Sequence, residues 1–79
     1  MVRRTNKELR FLILNKLKSG LKSINDLAQL AGINWNTTER QITWLKGKDL
    51  IEVVYKSKRI RIFAITKEGK EYLKKMKNV

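Results

Sequence analysis

Apolar residues recur along the first twenty positions with a helical period. Leu9, Leu12, Ile13 and Leu17 share one face at about 100° per residue, while Phe11 and Leu14 point to the other side. Thr5 and Glu8, three apart, have the spacing of a capping box, and Gly20 sits where a helix can end in a left-handed residue. The spacing predicts a first helix over about residues 6 to 19. Ser23 and Asp26 open a second capped helix, with Ile24, Leu27, Ala28 and Ala31 on its inner side. Ala31-Gly32-Ile33-Asn34 reads as a tight turn: glycine for the reversal, isoleucine to plug the core, asparagine as the next N-cap. A third helix is predicted from about Trp35 to Lys48, with Thr38, Ile42 and Leu45 inward. Asn36, Arg40 and Thr43 then face directly away from the core, flanked by Thr37 and Trp44.

After Leu50-Ile51 the period changes. Glu52-Val53-Val54-Tyr55 and Ile60-Arg61-Ile62-Phe63-Ala64-Ile65 are rich in β-branched and aromatic residues, without proline or glycine. They predict a two-stranded β-hairpin whose tip is Lys56-Ser57-Lys58-Arg59. Thr66 caps a last helix with Tyr72, Leu73 and Met76 on its apolar side and Lys70, Lys74, Lys75 and Lys77 elsewhere. The chain has no internal repeat, linker or low-complexity tract. At 79 residues it holds one domain, with helix-turn-helix at about 23–48, hairpin at about 51–65 and terminal helix at about 66–77.

Two short helices joined by so tight a turn have a dedicated use: the second is placed in a DNA major groove. The outer side of the third helix fits that use. Between residues 34 and 45 Arg40 is the only cation, opposed by Glu39. Asn36 and Gln41 can pair bidentately with adenine, Arg40 with guanine, and Thr37 and Thr43 can touch a thymine methyl. These five are the candidate base contacts; the plain alternative for each is a solvated polar face. Candidate phosphate contacts are Lys56, Lys58, Arg59 and Arg61 in the hairpin, with Arg3 and Arg4 in the lead-in. The hairpin charges equally serve to protect strand edges from aggregation. Trp35 and Trp44 among basic residues could stack on single-stranded bases or pack structurally.

Composition sharpens the partner. Lysine and arginine outnumber aspartate and glutamate by 19 to 7, a formal net charge of +12 that favours a polyanion. Nucleic acid comes first and an anionic membrane surface second; the plain alternative is a lysine excess inherited from a thermophilic or AT-rich source. A membrane-surface peptide fails because the apolar residues are needed for a core. No apolar run approaches the ~20 residues of a transmembrane helix, and no signal peptide is recognisable, so a cytoplasmic, nucleoid-associated location is expected. With no cysteine and no histidine, disulfides are excluded, no metal or other cofactor is expected, and no nucleophile or phosphate-loop motif marks an enzyme. No small-molecule substrate is indicated. So small a core leaves oligomerisation as the route to further burial. The expectation is a homodimer formed through Phe11 and Leu14 of the first helix with Tyr72 and Met76 of the last.

The runs Gly32-Ile33-Asn34-Trp35-Asn36-Thr37-Thr38, Ile42-Thr43-Trp44-Leu45 and Lys46-Gly47-Lys48-Asp49-Leu50-Ile51 resemble the pattern of small winged helix-turn-helix transcriptional regulators of archaea and their viruses. The tail from Ile65 to Leu73 looks like the Thr-x-x-Gly-x-x-x-Leu signature that opens their final helix, here Thr66, Gly69 and Leu73. The resemblance spans about residues 6 to 76. It implies an α+β winged-helix fold: a three-helix core, a two-stranded wing and a C-terminal helix. It also implies sequence-specific binding of double-stranded DNA by a dimer, in the host cytoplasm if the source is viral. Trp35 would pack against the hairpin base, and Trp44 would be partly buried near the wing or the partner. Asp49 stands where those proteins usually have glycine, which implies a less sharply turned entry to the wing. The last helix has room for only about three turns, which argues against a long coiled-coil dimer. Two other uses of the fold stay open: an architectural protein coating DNA without sequence preference, and an interaction module whose basic wing meets an acidic protein or RNA.

Overall fold

The computed structural model describes residues 5–77. Their order is α1 (Asn6–Lys18), β1 (Lys22–Ser23), α2 (Ile24–Ala31), α3 (Trp35–Gly47), β2 (Ile51–Lys56), β3 (Arg61–Ile65) and α4 (Lys67–Lys77). Each helix start is set by a side chain that accepts an otherwise orphan amide. Thr5 accepts from the Glu8 amide at the head of α1. Ser23 and Asp26 form a complete capping box on α2. Asn34 accepts from the Thr37 amide at 2.8 Å, starting α3. Gly32 closes α2 in the left-handed region at φ 66°, and Ile33 packs against the core as the turn requires.

The sheet departs from the expected two strands. Lys22 and Ser23 add a third, antiparallel to β3, so the order is β1-β3-β2 with β3 in the middle. Lys22 pairs with Phe63 and Ser23 with Ile62, which ties the residue that caps α2 directly to the hairpin. The hairpin register runs from Ile51↔Ile65 to Lys56↔Arg61, with an irregularity between Val53 and Tyr55. Val54 is the extra residue there, and both Val54 and Tyr55 are exposed.

The core gathers Ile13, Leu14 and Leu17 of α1, Leu27, Ile42, Leu45, Phe63 and Leu73. Leu14 is fully buried, contrary to the expectation that it lies on an outward face for dimerisation. The physical reason is that α1 is covered from several sides, by α2, α3, β3 and α4 of the same chain. A helix inside such a bundle buries more than one stripe. Phe11, Tyr72 and Met76 pack against that core and remain half-buried.

Asp49 takes the left-handed conformation that glycine would favour, φ 60°, so the turn into β2 is kept rather than opened. Thr66 braces it: its hydroxyl donates to the Asp49 carbonyl at 2.7 Å and accepts from the Gly69 amide at 3.0 Å. The Leu50 carbonyl also accepts from the Thr66 amide. Asp49→Val is expected to cost about 1–2 kcal/mol in urea unfolding, because a β-branched side chain is least tolerated there. Asp49→Gly should stay within about 0.5 kcal/mol of the parent, lost strain being offset by backbone entropy.

Candidate nucleic-acid interface

The outward side of α3 carries Asn36, Arg40 and Thr43, all exposed, with Thr37 half-buried beside them. Arg40 has no carboxylate partner among the described residues, while the Thr43 hydroxyl donates back to the Glu39 carbonyl at 3.0 Å. That leaves the Thr43 methyl and oxygen lone pairs as its outward chemistry.

Gln41 is not part of this exposed set. It is buried, only 7% exposed, and both ends of its amide are engaged. Its Oε1 accepts from Arg10 Nε at 2.9 Å, and its Nε2 donates to Asn6 Oδ1 at 3.0 Å. A buried amide bonded at both ends gives up those bonds only at a cost, which removes it from the expected base contacts. Arg10 is the residue the linear pattern missed. Its guanidinium lies 3.6 Å from the centre of the Trp44 ring, the distance of a stacked cation–π contact. Trp44 is therefore half-buried as expected, but its close neighbour is α1 rather than the wing.

The wing is joined to α3 by Arg61. Its tip is closed by Ser57, whose amide donates to the Ile60 carbonyl at 2.8 Å while its Oγ accepts from the Ile60 amide at 3.2 Å. Lys56, Lys58 and Arg59 are consequently held out in solvent. Arg61 behaves differently: its Nη2 is 3.3 Å from Glu39 Oε1, the one ion pair among the described residues. The pair removes the α3 carboxylate as an unopposed negative charge and ties the wing to α3. Between the wing and the start of α2 lies a concavity of about 340 Å³ lined by Trp35, Ser23, Asn25, Lys56, Lys58 and Arg59, with no carboxylate in its wall. Trp35 lines this concavity together with the hairpin residues and is 45% exposed. Arg3 and Arg4 lie outside the described residues.

Three helices, a turn opening onto α3 and a hairpin wing carrying the exposed cations have a counterpart among known proteins. A family profile described as winged helix-turn-helix matches residues 3–79. The chain belongs to the winged helix-turn-helix family. Solved structures carry the same fold. The transcriptional regulator BldR from Sulfolobus solfataricus is 27% identical, with a TM-score of 0.82 over 90% of this winged helix and 52% of that chain. BpsR of Bordetella bronchiseptica, whose DNA binding is regulated by 6-hydroxynicotinic acid, is 25% identical, with a TM-score of 0.78 over 86% of this chain and 50% of that one. A MarR family transcriptional regulator from Silicibacter pomeroyi, 24% identical, shares the fold with a TM-score of 0.77 over 89% and 48% of the two chains. The winged helix thus spans about half the length of these proteins. No curated protein matches it. Among its described residues no helix is long and apolar enough to cross a membrane.

Proposed function

We propose that this winged helix is a dimeric, sequence-specific double-stranded DNA-binding transcriptional regulator without enzymatic activity. α3 enters the major groove, and the wing lies on the phosphate backbone or in the adjacent minor groove. One observation carries the reading: Arg61 of the wing pairs with Glu39, the single α3 carboxylate, and so joins a helix exposing Asn36, Arg40 and Thr43 to a hairpin exposing Lys56, Lys58 and Arg59. Polar groups suited to base edges are thereby set beside cations suited to phosphates.

Dimerisation rests on the half-exposed parts of Phe11, Tyr72 and Met76, with Leu14 confined to the core. A two-fold dimer places two α3 helices in successive major grooves, with half-sites about one helical turn apart. The burial of Gln41 narrows direct readout to Asn36, Thr37, Arg40 and Thr43, which favours a second reading as an architectural protein of low preference.

Selection from a random duplex pool separates the two. A regulator is expected to enrich a two-fold repeated motif and to prefer it over scrambled DNA by about a thousandfold or more. Arg40→Ala should weaken the enriched site by about 1–3 kcal/mol while leaving scrambled DNA less affected. Binding without enrichment would establish the architectural reading instead.

A further inference from the structure

We propose that Arg10 of α1, outside the helix-turn-helix, forms a phosphate-binding site at the margin of the DNA face, with Gln41 as its positioning residue. The proposal rests on the DNA-binding reading above and names a contact that α3 and the wing do not supply.

The Arg10 side chain is fixed on two sides. Its Nε is bonded to Gln41 Oε1 at 2.9 Å, and its plane is stacked on Trp44 at 3.6 Å. Gln41 is itself held by Asn6 and is nearly inaccessible, so the anchor does not swing away. What remains of the guanidinium is the pair of terminal nitrogens, which make no hydrogen bond and no ion pair among the described residues. Two parallel N–H donors on a rigid plane match two oxygens of one phosphodiester. Arg10 lines a concavity of about 450 Å³ together with Thr37, Arg40 and Thr43, which sets it beside the α3 residues proposed to read the duplex.

The choice of amide at position 41 is the informative detail. Glutamate would accept the same Nε bond, but it would also cancel the charge. The molecule does use that arrangement elsewhere: Arg61 is held on α3 by Glu39, and its charge is spent within the chain. Arg10 is held on α3 by a neutral group and keeps its charge for an external anion. Such fixing lowers the rotamer entropy lost on binding a phosphate.

The test is a salt titration of binding to a labelled duplex, with the full chain. R10M keeps an unbranched stem over Trp44 but removes the fork. It is expected to reduce the slope of log affinity against log salt by about 0.9 per chain, and to weaken binding about eightfold at about 0.1 M salt, equally on enriched and scrambled DNA. R10K should keep the slope and lose affinity, since an ammonium carries the charge without the two fixed donors. Q41E keeps the Nε bond, with the Asn6 amide turned so that its Nδ2 donates to the second carboxylate oxygen, and should lower the slope as R10M does; it carries the same test should R10M lose its fold in a thermal melt. Duplex binding by the parent with an unchanged slope in R10M and Q41E overturns the Arg10 site and leaves the DNA reading standing. Absence of duplex binding by the parent overturns both.

Discussion

Glutamine at Lys56, Lys58 and Arg59 together is expected to lower affinity for any duplex by about 500-fold at about 0.1 M salt, with the salt slope shallower by about 2.7 per chain. All three side chains are exposed on a tip whose shape is set by Ser57 and Ile60, so their loss leaves the turn intact. Exposed substitutions of this kind change stability by only about 0.5 kcal/mol. The loss should fall equally on preferred and scrambled sites, because phosphates carry no sequence information. Affinity measured across a salt series settles the matter. A slope unchanged from the parent would take the wing off the DNA and leave its cations as guards of the strand edge.

Gly69→Ala should be the most damaging small substitution in the chain, at about 3 kcal/mol, lowering the thermal midpoint by more than about 10 °C. A Cβ at that position would overlap the Leu50 carbonyl oxygen and come within 2.7 Å of Ile65 Cγ1. The carbonyl cannot yield cheaply, because it also accepts from the Thr66 amide and belongs to the turn that Asp49 and Thr66 hold. Gly47 provides the control. It too is helical, at the end of α3, but a Cβ there meets nothing within 4 Å. Gly47→Ala should raise stability by about 0.5 kcal/mol from helix propensity alone. Identical chemistry with opposite signs separates close approach from propensity. A loss below about 1 kcal/mol for Gly69→Ala would mean that α4 shifts freely against the β2 entry.

This pair also explains the Thr-x-x-Gly tail. Threonine caps the helix and braces the preceding turn; glycine lets the helix lie against that turn's carbonyl. Such features were legible because they are local. Caps, the Gly32 turn, the three core positions of α3 and the change to a strand pattern after Ile51 all act within a few residues. What escaped the linear reading acts across the fold. β1 has only two residues, too few to display an alternation, and exists because β3 has a free edge beside them. Periodicity places Leu14 outward because it sees one buried stripe, whereas α4 returns to cover another. The sequence offers Gln41 to DNA because nothing in α3 reveals Arg10 and Asn6, more than thirty positions away. A glutamine on the polar side of a helix gives no sign in sequence that it faces another helix rather than solvent. Arg61 escaped similarly, its partner Glu39 lying 22 positions back.

The three-stranded sheet has a mechanical consequence. β3 is hydrogen-bonded on one side to β2 and on the other to the residues that start α2, while Arg61 fastens its outer end to Glu39. α3 and the wing are accordingly fastened to each other through β3, the start of α2 and the Arg61–Glu39 pair. In the proposed dimer, a controlling signal would therefore act less by bending a single copy than by changing the separation and angle between two, which sets whether both α3 helices reach their half-sites together.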